Sequence, residues 1–276
     1  YSGGTTVSAG TLKAGSSYQP FGTAGVTVSS GATLDVAGQS LSNSLTLSGT
    51  GVSGYALVNS STTQGVIGGA VTLSGATTIG GSNPLKISGV ISGTSKALTI
   101  GGTSTVTLIN TETYTGSTTI NSGAKLVLTG SGAIASSSSV AANGTFDISG
   151  TTSGASIVTL SGSGVVALGS KTLTLSNAST TFSGVIQDTG LTAGTGGSLT
   201  LTTGTEPLSN ANTYTGTTTI NSGAQLSLTS SGSISTSSQV NVNGSLNVMN
   251  QDVYLKGLGG NGYVNLYYGY NLHITN

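Results

Sequence analysis

The 276-residue chain contains no cysteine, no tryptophan and only three prolines, and its six basic and six acidic side chains cancel. Charged residues make up 4% of the sequence, whereas globular domains average about 25%. Without cysteine, neither a disulfide framework nor a thiolate metal site can form. The absence of Lys and Arg clusters argues against a nucleic-acid binder or a protein attracted to anionic membranes.

Long apolar runs are also absent, and none approaches the ~20 residues of a membrane span. We therefore expect no membrane insertion by this segment. Residue 1 is Tyr and no basic and apolar leader follows it, so we expect any signal peptide to lie outside this sequence. A chain without thiols suits export through an oxidising compartment.

What the sequence has instead is glycine, serine, threonine and a regular alternation of aliphatic residues. There are 46 glycines, and the mean hydropathy is +0.21, which favours a folded chain over a flexible linker. Leu126 and Leu128, or Leu173 and Leu175, show the period of two that is typical of strands. Gly, Asn and Ser clusters between these segments are typical of tight turns. We predict an almost purely β protein.

The alternating segments recur as an internal repeat. NTYTGTTTINSGAQLSL at residues 212–228 matches TETYTGSTTINSGAKLVL at 111–128, and residues 110–150 share 23 of 41 positions with 210–250. The opening YSGGTTVSAGTLKAG is a third, partial copy. We predict a single repeat domain over 1–276, with superrepeats of roughly 1–110, 111–210 and 211–276 and both ends cut within a repeat.

Repeats built of several short strands predict a solenoid, and we expect a right-handed parallel β-helix. A turn would take roughly 20 to 25 residues, with four or five turns in each superrepeat. Inward Leu, Val and Ile would stack on their counterparts in neighbouring turns, about 4.8 Å away, while Ser, Thr and Asn face outward. No six-residue repeat is visible, which disfavours the left-handed hexapeptide form.

The repeated segments resemble a known family. LTIGGTSTVTLINTETYTGSTTINSGAKLVL, LTLTTGTEPLSNANTYTGTTTINSGAQLSL and YSGGTTVSAGTLKAG are similar to the autotransporter-associated β-strand repeat of type V secreted passenger domains. The resemblance implies a β-helical stalk at the surface of a Gram-negative bacterium or outside it, exported across the outer membrane, in a family dominated by adhesins and other surface virulence factors. In that family the repeat serves secretion and scaffolding rather than catalysis. Neither a membrane barrel nor a globular head is recognisable here.

Catalytic chemistry finds little support in the sequence. Asp35 and Asp147 share one repeat position, where the next copy has Asn247, so we expect them roughly 20 Å apart, too far for an acid and base pair. His273 is the single histidine and aligns with the outward Thr174. Because it has no partner nearby in sequence, we expect a surface substitution rather than a catalyst. We predict no catalytic residue and no enzyme.

Cofactor and metal motifs are equally weak. The glycine triplets Gly49, Gly51, Gly54 and Gly257, Gly259, Gly262 fit a dinucleotide-binding pattern, but neither opens a helix. GGNGYVNL from Gly259 echoes a calcium-binding nonapeptide, but Val264 replaces the liganding Asp and only one copy exists. We predict no cofactor and no metal.

Aromatic residues cluster near the end of the sequence, at Tyr254, Tyr263, Tyr267, Tyr268 and Tyr270. One interpretation is a partner-contact patch, because tyrosine gives a large amphipathic contact area at low entropic cost. The other is that these rings cover the last turns beside an exposed sheet end. The sequence leaves both open.

We consider three functions. The first, which the resemblance implies, is a secreted structural and adhesive stalk that contacts a host-cell or neighbouring-cell surface. The second is an extracellular filament subunit that self-associates head to tail through open ends. The third is an ice-binding surface, because Thr172, Thr174, Ser198 and Thr200 present hydroxyls at strand spacing.

Overall fold

The computed structural model describes residues 1–16, 18–249 and 251–275. Within them the regular elements are all β-strands, and parallel sheets stack as a β-solenoid of about 13 turns. The predicted fold class is confirmed. The chain divides into two compact units, Tyr1–Ser138 and Ser139–Asn276, while the superrepeat boundaries stay a prediction.

The first unit contains strands β1 to β15. Their bounds are β1 Thr5–Val7, β2 Gly10–Lys13, β3 Val26–Val28, β4 Ala32–Asp35, β5 Ser40–Leu41, β6 Leu45–Gly49, β7 Leu57–Val58, β8 Gly65–Ile67, β9 Val71–Gly81, β10 Leu85–Ile87, β11 Ile91–Ser92, β12 Leu98–Gly102, β13 Thr105–Leu108, β14 Thr118–Ile120 and β15 Lys125–Gly130. One sheet runs β1-β3-β6-β9-β12-β14. Off this path, β2 pairs with β4, β4 with β7, and both β7 and β11 pair with β9. A second runs β5-β8-β10-β13-β15.

The second unit contains strands β16 to β32. Their bounds are β16 Val140–Ala142, β17 Thr145–Thr151, β18 Ala155–Ile157, β19 Leu160–Ser161, β20 Val165–Ala167, β21 Thr172–Leu175, β22 Val185–Gln187, β23 Ser198–Leu201, β24 Gly204–Leu208, β25 Thr217–Ile220, β26 Ala224–Leu228, β27 Gln239–Val242, β28 Ser245–Val248, β29 Val253–Leu255, β30 Leu258–Gly259, β31 Tyr263–Leu266 and β32 Leu272–Ile274. The two largest sheets within this unit run β18-β21-β23-β25-β27-β30 and β24-β26-β28-β31. Three smaller sets of strands also pair: β17-β20-β22 in series, β16 with β19, and β29 with β32.

Strands pair with the equivalent strand one turn later, in parallel and in register. Ala155 pairs with Leu173, and Leu173 pairs in turn with Leu199, so the second of these two turns is clearly longer than the first. Turn length therefore varies more widely than the sequence predicts. The strands fix the register, whereas the corners between them accept insertions without disturbing the ladder.

The core consists of aliphatic ladders that run through successive turns. Ile79, Ile100 and Ile120 are register partners on β9, β12 and β14, and all three are buried. Each such side chain contributes roughly 1.5–3 kcal/mol by burial. The neighbouring positions Thr99 and Thr119 lie on the outer face and are half-buried. The predicted aliphatic core is confirmed, whereas the prediction that Ser and Thr face outward holds only in part, because several of them are buried.

The repeated YTG signature builds a buried chain of hydroxyl groups. Tyr214 is fully buried, and its Oη lies 2.6 Å from Thr218 Oγ1. Thr218 donates to Ser237 Oγ at 3.0 Å, which donates to the Gly216 carbonyl at 2.8 Å. Glycine is required at 216, because a Cβ there would lie 2.2 Å from the Gly196 carbonyl oxygen. Every polar group in this interior row therefore has a partner.

The first copy of the signature has the same arrangement. Tyr114 Oη lies 2.7 Å from Thr118 Oγ1, Thr118 Oγ1 lies 2.8 Å from Ser137 Oγ, and Ser137 donates to Gly116 O at 3.0 Å. Burial raises the pKa of both the Tyr114 and the Tyr214 phenol, so both keep their protons. The strong identity between the copies thus reflects packing and hydrogen bonding inside the solenoid.

Candidate binding surfaces of the second unit

The five clustered tyrosines lie in the last described turns. Tyr254 is on β29 and Tyr263 on β31, and the others lie between β31 and β32. Tyr268 is 87% exposed and Tyr263 72%, whereas Tyr270 is half-buried. Ring contacts join Tyr267 to Tyr268, with centroids 6.5 Å apart, and Tyr254 to His273. The five rings therefore do not form one continuous patch of ring contacts. That they contact a partner stays a prediction.

His273 contacts two residues that are distant from it in sequence. Its ring stacks on Tyr254 with centroids 4.6 Å apart and planes inclined by 10°, and its Nε2 lies 3.2 Å from Asp252 Oδ2. The reason is the register between β29 and β32, which places Tyr254 beside His273. The Asn271 backbone N–H and the His273 ring hold the pKa of the Asp252 carboxyl below its usual value.

A groove of about 350 Å³ lies at a corner of the solenoid. Its wall is a column of outward side chains on four in-register strands: Thr205 on β24 pairs with Gln225 on β26, Gln225 with Ser245 on β28, and Ser245 with Tyr263 on β31. Because neighbouring strands lie about 4.8 Å apart, the column extends over roughly 14 Å.

The floor of this groove is mostly backbone. Gly244 approaches the turn below so closely that a Cβ would lie 2.1 Å from the Ala224 carbonyl oxygen. Gly223 has φ of +84°, and a Cβ there would meet only open space. Ser222 and Asn243 are exposed along the same floor. The sequence predicted Tyr263 as a contact residue but not the groove, because each wall residue is a whole turn away from the next and these residues meet only through the register.

Two glutamates point into the core. Glu206 is 0% exposed, and neither of its carboxylate oxygens has a hydrogen-bond partner in the described residues. Burial raises its pKa from 4.5 to about 9. Glu112 is 1% exposed; its Oε2 accepts the Ile91 N–H, and burial raises its pKa to about 7. Both lie within packed turns, so neither presents a carboxyl to a substrate.

The buried aspartates hold loops in place. Asp188 accepts the N–H groups of Gly196 and Gly197, at 3.2 and 3.0 Å, and the Thr215 hydroxyl at 2.6 Å. Asp147 accepts the Leu191 N–H at 2.6 Å from the same loop. Charge-assisted bonds of this kind explain why carboxylates tolerate burial here.

In the first unit, Asp35 occupies the repeat position of Asp147 and also holds a loop in place. Asp35 accepts the N–H groups of Ala37 and Ser60, each at 2.9 Å. Its Oδ2 also lies 3.9 Å from the Lys13 ammonium, an exposed group that adds little.

In residues 1–16, 18–249 and 251–275 no group of three or more His, Asp or Glu side chains is arranged to hold a metal ion. No helix long and apolar enough to cross a membrane occurs in that part of the chain either. No family model, curated protein or solved structure matches the chain.

Proposed function

We propose that the chain is a non-catalytic, secreted or cell-surface β-helical stalk of a Gram-negative bacterium with a structural and adhesive role. The observation that carries the proposal is the parallel solenoid itself: aliphatic ladders fill its core, and neutral hydroxyl and amide groups cover its outside. Stability in such a fold accumulates over nearest-neighbour turns, so it extends without a large single core. The resemblance to autotransporter passengers supports the same role.

Surface location is tested on intact cells of the source bacterium. We expect antibodies against the chain to label unpermeabilised cells, and added protease to remove the signal. Labelling that appears only after permeabilisation would contradict the surface location.

Adhesion is tested with beads that carry the purified chain. We expect these beads to bind host or neighbouring bacterial cells more than beads carrying the heat-unfolded chain. Equal binding of the two bead preparations would contradict the adhesive role.

A filament subunit is a second candidate. β1 and β2 each pair on one side only, as do β31 and β32 among the described strands. Leu258, Leu266 and Ile274 in the last described turns are 37%, 38% and 46% exposed. Unpaired edges with apolar side chains favour stacking. Negative-stain microscopy of concentrated protein tests it: ordered axial fibres support a filament, and single particles contradict it.

An ice-binding surface is a third candidate, favoured by the outward column Thr174, Thr200 and Thr219 on β21, β23 and β25. None of these three hydroxyls has a hydrogen-bond partner in the described residues. Thermal hysteresis at millimolar protein tests it, and its absence would eliminate this function.

A further inference from the structure

We propose that the groove beside Tyr263 binds a neutral oligosaccharide, with one sugar ring against the Tyr263 face and sugar hydroxyls on the polar groups of the wall and floor. This inference deepens the adhesive role and rests on the function proposed above, because it names the chemical class of the adhesive contact.

The first support is the supply of free polar groups. The hydroxyls of Thr205, Ser222 and Ser245 and the side-chain amide of Asn243 line the groove and have no hydrogen-bond partner within the described residues. Gln225 donates its amide to Ser227 Oγ at 3.1 Å, which orients the side chain and leaves its Oε1 available. Hydroxyls and primary amides both donate and accept, as the hydroxyls of a sugar require.

The second support is the absence of charge. No Lys, Arg, Asp or Glu lines the groove in the described residues. The acidic neighbour in sequence, Glu206, lies on the opposite face of β24, buried in the core. A phosphate or carboxylate ligand would find no counter-charge here, so the groove favours a neutral ligand.

The third support is the exposed aromatic ring at one end of the column. Tyr263 is 72% exposed although it belongs to a paired strand. A tyrosine ring offers an apolar face with a polar tip, and the C–H face of a pyranose is the complementary surface. The column extends over roughly 14 Å, enough for more than one sugar unit.

A peptide strand fits the groove less well, because the floor backbone is already paired. The N–H groups of Asn243 and Gly244 both donate to Ile220 O, at 2.7 and 3.0 Å, and Tyr263 N–H donates to Gly244 O at 2.9 Å. Strand addition needs free backbone groups along an edge. The free groups are on side chains instead, which favours a polyhydroxylated ligand.

The repeat provides a natural comparison. Lys125 stands at the position of Gln225 in the earlier copy. Val165 is the counterpart of Tyr263, since Thr145 pairs with Val165 as Ser245 pairs with Tyr263. The earlier copy thus lacks the aromatic platform and carries a cation, so binding is specific to the later copy.

The test uses the purified full chain and a panel of neutral tetrasaccharides (cellotetraose, maltotetraose, mannotetraose and xylotetraose), with tetragalacturonate as the acidic probe. We expect at least one neutral probe to bind with a Kd of about 1 mM by calorimetry. Amide shifts in two-dimensional NMR should centre on Gln225, Asn243 and Ser245. Tyr263→Ala should weaken binding about tenfold, whereas Tyr263→Phe, which keeps the ring, should stay within about twofold.

Matched controls separate the groove from general stickiness. Tyr268→Ala removes a more exposed ring outside the groove and should leave binding unchanged. Gln225→Lys reproduces the earlier copy and should weaken binding. Circular dichroism of each variant verifies folding. The proposal is overturned if no neutral probe binds at a concentration of about 10 mM, if Tyr263→Ala binds normally, or if tetragalacturonate binds equally well.

Failure here and failure of the adhesive role are distinguishable. Bead adhesion with no oligosaccharide binding would refute the groove and leave the stalk proposal intact. Oligosaccharide binding without bead adhesion would support the groove and refute the adhesive role.

Discussion

Glu206 is a carboxyl placed where the repeat elsewhere has a valine. It pairs in register with Leu226, as Val106 pairs with Leu126 one superrepeat earlier. Both of its oxygens lack a partner in the described residues, and the side chain is 0% exposed. We therefore predict that Glu206→Val stabilises the protein at neutral pH.

The magnitude follows from proton linkage. The folded-state pKa of Glu206 is about 9, against 4.5 in the unfolded chain. Between these values the folded state holds a proton that the unfolded state has released, so stability falls by about 1.4 kcal/mol per pH unit as pH rises. At pH 7 Glu206 lowers the free energy of unfolding by about 3 kcal/mol through this linkage, whereas below pH 4.5 the effect is absent. Glu206→Val removes this destabilisation and should raise Tm by roughly 6–12 °C at pH 7.

Calorimetry of wild type and Glu206→Val at pH 5 and pH 8 measures this effect. The difference in Tm should be large at pH 8 and small at pH 5. Glu206→Gln should remove the part of the pH dependence that Glu206 contributes and leave the part that Glu112 contributes. Val106→Glu should introduce a further destabilisation that also grows with pH. If Glu206→Val melts at or below the wild-type temperature at pH 8, the inward placement of this carboxyl is wrong.

Three further predictions concern other buried positions. Glu112→Gln should reduce the loss of stability between pH 4.5 and 7, because the folded-state pKa of Glu112 is about 7. A pH profile of Tm equal to that of wild type would contradict this prediction. Leu128→Asp should lower the free energy of unfolding in urea by more than about 4 kcal/mol, because Leu128 is fully buried. Thr119→Asp should lower it by less than about 1 kcal/mol, because Thr119 faces outward. Equal losses would mean that the inner and outer faces are assigned wrongly. Asp188→Ala should speed hydrogen exchange at Gly197, whose N–H donates to the Asp188 carboxylate at 3.0 Å, and exchange rates equal to those of wild type would refute this anchor.

Alternation and the internal repeat were sufficient to predict the fold, because a period of two and a stacked core leave few other parallel architectures. The inward direction of Glu206 was also readable, since it shares the parity of Leu208 and the repeat position of Val106. The contact between His273 and Asp252 was not readable. It spans a whole turn, and turns in this unit differ in length, as the unequal steps from Ala155 to Leu173 and from Leu173 to Leu199 show. Sequence spacing alone therefore does not fix which side chains meet.

The parallel, in-register stacking of the turns determines the groove, the buried carboxyls and the anchored loops alike. Cysteine cross-linking measures it directly, because the chain has no cysteine of its own. Thr200 and Thr219 are outward register partners, and at a Cα separation of about 4.8 Å two cysteines form a disulfide. We expect Thr200→Cys with Thr219→Cys to oxidise rapidly, as shown by mass spectrometry of the proteolysed, non-reduced protein. Thr200→Cys with Thr217→Cys, offset along the strand and so beyond about 7 Å, should not; rapid cross-linking of this offset pair, or none in the register pair, would contradict the stacking.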